Sequence, residues 1–190
     1  MGAGLIALIV VVALALVLVI FLWSMYNGLV RARLNVKEAW SGIDVQLKRR
    51  SSLIPNLVET VKGYATHERE VFENVTRARA GLMNAQGPAQ AAQADNILTQ
   101  AIGRLFAVAE AYPDLKANQN FLELQRELTD TEDKIAYARQ FYNSNVGNYN
   151  EKILVFPNVL IVGMFGFTAE EFYQVDEAAR ADVTVSFNVT

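Results

Sequence analysis

The one histidine of the chain, His67, is followed by Glu68, an order that also opens the zinc-binding helix of many metalloproteases. That helix needs a second histidine four residues after the first, but Val71 occupies the position. A lone imidazole is a poor basis for a catalytic zinc site, which needs three protein ligands. We therefore interpret His67 as a solvated or hydrogen-bonded helix residue.

The remaining residue types give no better catalytic set. The chain has no cysteine, which excludes disulfides, thiolate nucleophiles and cysteine-based zinc sites. No serine stands in a Gly-x-Ser-x-Gly elbow, and no glycine-rich loop suited to phosphate is visible. The carboxylate pairs 132–133 and 170–171 are sequence neighbours, which point in different directions on a helix. The sequence therefore predicts a protein that is not an enzyme and binds no cofactor or metal.

Asparagine and tyrosine are concentrated in two stretches, residues 26–35 and 142–150. Tyr142, Val146 and Tyr149 recur every three or four residues, which predicts that both tyrosines pack in a helical core. A buried asparagine must find a hydrogen-bond partner, because an unpaired amide costs roughly 1 to 3 kcal/mol. The amides can bond across helices of one chain, fixing their register, or between neighbouring copies.

The stretch from Ala3 to Trp23 carries no charge and predicts a membrane span. As a helix it is about 31 Å long, close to the roughly 30 Å of a bilayer core. A cleaved signal peptide would need a basic start, a shorter apolar run and a small-residue cleavage site. None of these is present, so we expect a retained anchor with Trp23 and Tyr26 in the aromatic belt.

Charge is distributed unevenly, with basic residues just after the span and acidic residues after Pro113. The basic group is Arg31, Arg33, Lys37, Lys48, Arg49 and Arg50. By the positive-inside rule it places the body on the cytoplasmic side of the inner membrane, crossed once. It can form a collar on anionic lipid or an ordinary solvated helix face. The acidic excess argues against nucleic acid as a partner.

Apolar residues recur with helical period through most of the body, which predicts an all-α fold. We expect a transmembrane helix followed by an antiparallel bundle of long helices, the first of them kinked at Pro55. The predicted bundle helices span about 29–83, 92–111 and 118–157, with a loop after residue 84. The predicted domains are an anchor at 1–28, a bundle with an apolar end cap at 29–167, and a short helix and extended tail at 168–190.

The apolar segment 153–167 is too short and too interrupted by proline and glycine to span a bilayer. We interpret it as a cap that closes the bundle end, and the alternative is a segment that dips into the membrane interface. Thr168 and Glu171 have the spacing of a capping box, which predicts a short helix. Alternating Val183, Val185 and Phe187 suggest an extended tail.

Several motifs resemble the LemA family in order and spacing over nearly the whole chain. They are Tyr26-Asn27-x-Leu29-Val30-x-x-Arg33, Val36-x-Glu38-Ala39-Trp40-Ser41-x-Ile43-Asp44-Val45-Gln46-Leu47-Lys48-Arg49-Arg50, Leu53-Ile54-Pro55-Asn56-Leu57-Val58-Glu59-Thr60-Val61-Lys62-Gly63-Tyr64-Ala65-x-His67-Glu68, Tyr112-Pro113-x-Leu115-x-Ala117-Asn118, Gln125-x-Glu127-Leu128-x-x-Thr131-Glu132, Ala138-Arg139-x-Phe141-Tyr142-Asn143 and Phe156-Pro157. The resemblance implies a single-pass bacterial membrane protein with an antiparallel bundle. It implies no catalytic activity, and the frequent neighbourhood of family genes with membrane proteases suggests envelope quality control.

Two functional hypotheses follow, a self-associating membrane scaffold and an adaptor for a membrane protease or envelope-stress partner. Membrane shaping by the apolar cap is a minor third. The scaffold hypothesis is preferred, with membrane lipid and further copies of the chain as partners. The candidate interaction residues are Trp23, Tyr26, Asn27, Arg31, Arg33, Lys48, Arg49, Arg50, Asn145, Asn148, Phe165 and Phe167.

Overall fold

The computed structural model describes residues 2–174, and every regular element among them is a helix. The helices are α1 Gly2–Lys62, α2 Arg69–Asn84, α3 Gly87–Ala109, α4 Pro113–Lys116, α5 Gln119–Leu154 and α6 Val159–Phe165. The predicted all-α class, with an N-terminal apolar helix and a bundle behind it, is confirmed. Val183, Val185 and Phe187 lie outside the described residues.

Contacts between residues divide the chain into two compact units. Among the described residues, the anchor unit comprises 2–40 and 141–170, and the bundle unit comprises 41–140 and 171–174. Both α1 and α5 contribute residues to each unit. The domain boundaries predicted at residues 28 and 167 stay predictions.

Helix α1 has two parts that differ in how their side chains are covered. Its apolar side chains from Leu5 to Trp23 are exposed all round, and its 61 residues include a stretch apolar enough to cross a membrane. A helix that is apolar on every face is stable only when lipid or protein covers it. From Leu29 onward a single stripe is buried instead, with Val36 and Ile43 among its members. This change of pattern separates the anchor from the bundle.

Two helix boundaries differ from the prediction. Helix α1 continues through Pro55 but ends at Lys62, so the expected rod to residue 83 is two helices separated by 63–68. The N–H groups of Tyr64 and Ala65 both bond the carbonyl of Val61, which closes α1 in a tight turn. Helix α3 begins at Gly87, within the stretch predicted as a loop, because Pro88 suits a first helical turn and the alanines that follow favour helix.

In the bundle unit the long helices pack antiparallel. Arg49 of α1 lies 3.7 Å from Asp130 of α5, and beyond the helix ends Tyr64 accepts a hydrogen bond from Asn118. Helix α2 returns along α1, since Arg79 donates to the Ser51 carbonyl at 2.8 Å. Helices α2 and α3 pack against each other, and the ring of Phe106 meets that of Phe121 on α5.

In the anchor unit α5 also runs antiparallel to α1. The Trp40 ring meets the Tyr142 ring edge-on at 5.9 Å, and Tyr149, seven residues later, faces the charge of Arg33. Tyr142 and Tyr149 are buried, as predicted, whereas Trp40 is half-buried. Helix α6 follows the end of α5 and is held through the buried side chain of Ile161. This arrangement builds a small core directly after the membrane span.

The helix predicted to begin at Thr168 is absent, because residues 168–174 have no regular secondary structure. Their backbone groups are instead engaged by side chains of α5. The Tyr149 hydroxyl donates to the Thr168 carbonyl, and the Asn150 amide bonds both backbone groups of Glu170. A helix that begins at Thr168 needs the Thr168 and Glu170 carbonyls as acceptors for its own hydrogen bonds, so the capping-box prediction is wrong here.

Gly166 ends α6 in the left-handed conformation, with φ of 68°. We expect Gly166→Ala to destabilise this turn by about 1 to 2 kcal/mol, because a Cβ is strained at that φ. Amide hydrogen exchange in α6 should therefore accelerate about five- to thirty-fold. Gly163→Ala is the matched control, since Gly163 is helical and has open space around its Cα. Equal exchange rates in both variants would contradict the left-handed conformation of Gly166 at the end of α6.

Candidate functional site

Tyr26 connects the apolar span with the segment after α5. Its ring centroid lies 5.0 Å from that of Phe165 and 5.7 Å from that of Phe167. Offset and edge-on ring pairs at such distances are favourable beyond the area they bury. Phe167 is buried, whereas half of Phe165 is exposed. Of the three predicted interaction residues, Tyr26 and Phe165 remain partly accessible and Phe167 serves the core.

A pair of hydrogen bonds fixes the chain after α6. The Asn150 side chain donates to the Glu170 carbonyl and accepts from the Glu170 N–H, both at 2.9 Å. The Tyr149 hydroxyl donates to the Thr168 carbonyl at 2.9 Å, and burial raises the pKa of Tyr149. The amide of Asn150 therefore bonds within the chain, one of the two alternatives that the sequence left open.

Arg33 forms the ion pair of this region. Its Nε lies 2.9 Å from Oε1 of Glu170, and both side chains are partly exposed. Exposed ion pairs contribute at most about 1 kcal/mol. Arg33 therefore orients residue 170 rather than offering a free cation to lipid.

A shallow cleft of about 400 Å³ lies between α1 and α5 in the anchor unit. We call it the amide cleft, and its lining is Ala32, Asn35, Asn145, Asn148, Glu151, Lys152 and Val155. The Asn145 amide donates to the Phe141 carbonyl of its own helix at 2.8 Å. Asn35 and Asn148 are exposed to solvent. The cleft brings together the asparagines that the sequence marked on two separate stretches.

The other predicted interaction residues have mixed positions. Trp23 and Arg31 are exposed, and Asn27 is half-buried. Lys48 pairs with Asp44 one turn away on α1 at 2.6 Å. The structure corrects the expectation for Arg50, whose side chain lies in the interior rather than on a surface edge.

Arg50 belongs to a buried polar cluster in the bundle unit. It is 3% exposed, and its Nη1 donates to Oδ1 of Asp95 on α3 at 2.9 Å. The Tyr173 hydroxyl donates to the other carboxylate oxygen at 3.3 Å. Burial raises the pKa of Asp95, and the Arg50 charge opposes that shift. Burial beside the same carboxylate also raises the pKa of Tyr173.

Sequence reasoning did not select Asp95 or Tyr173. A usable signal for Asp95 was its place within the apolar stripe of α3, between Ala92 and Leu98, where an acid must find a buried partner. No comparable signal marks Tyr173, because it stands on an irregular segment. The Nε of Arg50 has no hydrogen-bond partner among residues 2–174.

The polar residues of the described chain do not form a metal-ligand set. His67 is exposed after the end of α1, and residues 2–174 contain no group of three or more histidine, cysteine, aspartate or glutamate side chains placed to hold an ion. The polar geometry described above consists of helix-to-segment hydrogen bonds and ion pairs.

The LemA family model matches residues 39–187, about three quarters of the chain. The chain belongs to the LemA family. The family resemblance in the sequence motifs is thereby confirmed.

Several relatives of this LemA-family chain are similar over most of their length. Protein LemA of Metamycoplasma hominis is 28% identical over 165 residues, covering 84% of this chain and 74% of the relative. Magnetosome protein MamQ of Magnetospirillum gryphiswaldense is 26% identical, covering 96% and 78% respectively. Magnetosome protein MamQ 2 of Paramagnetospirillum magneticum is 27% identical, covering 83% and 68%.

We expect Asn150→Ala to lower the free energy of unfolding of this LemA-family protein by about 1 to 3 kcal/mol, because both backbone groups of Glu170 lose their partner. Asn150→Asp should also destabilise, since a carboxylate cannot donate to the Glu170 carbonyl. Urea unfolding of the full chain in mild detergent, followed by circular dichroism, measures this. Gln125→Ala, at an exposed amide of the same helix outside the amide cleft, is the matched control and should stay within about 0.5 kcal/mol of the wild type.

The buried cluster of this LemA-family protein predicts a pH dependence. Arg50→Met removes the charge that opposes the raised pKa of Asp95, so that pKa rises further. A carboxyl whose folded pKa exceeds its unfolded value contributes stability at acid pH, which is lost as pH rises through the folded pKa. Arg50→Met should cost about 3 kcal/mol or more at neutral pH and less in acid.

The double variant Arg50→Met with Asp95→Asn is the control for this prediction, because it lacks the titrating carboxyl. Urea unfolding of both full-length variants across the pH range gives their free energies of unfolding. At neutral pH this free energy should be lower for Arg50→Met than for the double variant. The two curves should then converge as pH falls. If the two free energies of unfolding instead differ by the same amount at every pH, the titration of Asp95 does not cause the pH dependence.

Proposed function

We propose that this LemA-family protein is a non-enzymatic membrane scaffold whose copies associate through the amide cleft of the anchor unit. The amide cleft is the observation that carries the proposal. Its exposed Asn35 and Asn148 offer both hydrogen-bond donors and acceptors, and a side-chain amide can pair with another amide on a neighbouring copy. The names of the MamQ relatives state a place, the magnetosome, and no reaction, which is compatible with a structural role.

Exposed apolar side chains close in sequence to the cleft residues support the proposal. Leu34 precedes Asn35 on α1, and Phe141 supplies the carbonyl that Asn145 bonds. Both are large and exposed, Phe141 at 62%. Protein interfaces combine such apolar and aromatic contacts with a small number of hydrogen bonds.

We propose further that the body lies on the cytoplasmic side of the inner membrane. The excess of arginine and lysine just after the span supports this orientation. Exposed Arg31 and Lys152 are available to anionic lipid headgroups, since neither side chain forms an ion pair with another residue of 2–174. Lipid is the second partner that the proposal includes.

The scaffold proposal is tested by the mass of the full chain in mild detergent, measured by light scattering. We expect an assembly of many copies for the wild type. Asn35→Lys with Asn148→Lys should dissociate it, because bulky like charges would face each other across the contact. Asn56→Lys with Gln125→Lys, which adds the same charge at exposed amides of the bundle unit, should leave the mass unchanged. A monomeric wild type, or equal dissociation by both double variants, would contradict the proposal.

An adaptor for a membrane protease or envelope-stress partner is the second candidate. A groove of about 570 Å³ between α2 and α3 favours it. Its lining includes the exposed Ile97 and three charged residues, Arg77, Arg104 and Glu70, so the basic charge is in excess. Such a groove suits an apolar, acidic segment of a partner. The adaptor predicts that mild crosslinking of membranes captures a distinct protein with the wild-type chain but not with Ile97→Asp, and recovery of the chain alone would count against it.

A further inference from the structure

We propose that the segment from Leu154 to Phe165, which includes α6, inserts into the headgroup region of the bilayer as a second membrane attachment beside the spanning helix. This inference does not depend on self-association, because one copy of the chain contains every residue involved. The occupant is lipid rather than another protein.

The apolar side chains of the segment are largely exposed. The segment carries a nearly continuous set of large apolar side chains that protein does not cover. They are Leu154, Val155, Phe156, Val159, Leu160, Met164 and Phe165. Met164 is 79% exposed, Phe156 77% and Leu160 64%. Contiguous apolar surface of this kind marks a protein or membrane interaction site.

The end of the segment contacts α1 just after its apolar run. Phe165 and Phe167 both contact the ring of Tyr26. Tyr26 is three residues past Trp23, the end of the uncharged run, which is about 4.5 Å along a helix. The contact therefore places this end of the apolar segment at the level where the span leaves the bilayer core. The exposed apolar surface of residues 154–165 is therefore continuous with the apolar surface of the spanning part of α1, which itself requires lipid.

Entry into the interface leaves few polar groups without partners. No charged residue stands between Lys152 and Glu170. The N–H groups of the first turn of α6 bond upstream carbonyls, Leu160 to Pro157 and Ile161 to Asn158 among them. At the other end the Gly166 and Phe167 N–H groups bond the Val162 carbonyl. Satisfied backbone ends are what a low-polarity environment demands.

One face of α6 is already engaged, which orients the segment. Ile161 is buried against the anchor unit, and Phe167 is buried just after the helix. Leu160 and Met164, one turn apart, are then on an exposed side of the helix. A helix that lies in the plane of the interface with one apolar face in lipid has this division.

The absence of cysteine makes a depth measurement simple, because a single introduced cysteine carries the only spin label. The full chain is labelled at Met164→Cys or Leu160→Cys and reconstituted in phosphatidylcholine vesicles with a minority of phosphatidylglycerol. Electron paramagnetic resonance then compares collision with oxygen, which concentrates in lipid, and with a water-soluble nickel complex. Leu14→Cys in the span and Glu123→Cys on exposed α5 are the references.

At positions 160 and 164 we expect the ratio of oxygen collisions to nickel collisions to be several-fold higher than at position 123. The ratio should approach the value measured at position 14 in the span. Nickel accessibility equal to that at 123 would overturn the proposal. So would low accessibility to both reagents with spin–spin broadening that disappears on dilution with unlabelled protein, because that result would assign the surface to a contact between copies. Two labelled positions guard against a local effect of one substitution.

Discussion

The unbroken course of α1 determines where the anchor unit forms. One helix of 61 residues is apolar on all sides in its first third and carries a single buried stripe afterwards. No flexible linker separates the membrane span from the first core residue, Leu29. Because a helix fixes the rise and rotation of each residue, the residues around Tyr26 and Arg33 hold a set position relative to the span. The anchor unit is therefore built directly after the apolar run by covalent geometry.

Polar contacts then fix how the later chain meets that helix. The amide of Asn150 and the hydroxyl of Tyr149 bind backbone groups of 168–170, and the buried carboxylate of Asp95 binds Arg50 and Tyr173. Apolar packing is tolerant of small shifts, whereas a buried amide or ion pair is satisfied in few arrangements. These contacts explain why an irregular segment follows α6 in a defined course.

The sequence predicts most of the fold because its signals are local. Helical period, the apolar span and the burial of Tyr142 and Tyr149 follow from spacing alone. The failures have tertiary causes. A turn at 63–68 divides the first rod, and hydrogen bonds from α5 engage the carbonyls that a helix starting at Thr168 would need. Arg50 was expected at the surface because its partner Asp95 is distant in sequence. The family match likewise establishes membership and leaves the partner open.

Electron cryomicroscopy of the full chain, extracted with its native lipid into nanodiscs, would show whether copies assemble beside the membrane through their anchor units. We expect several copies in each particle, with Asn35 and Asn148 of one copy against a neighbour. Single separated copies whose amide clefts face solvent, or assemblies joined only through the bundle units, would contradict it.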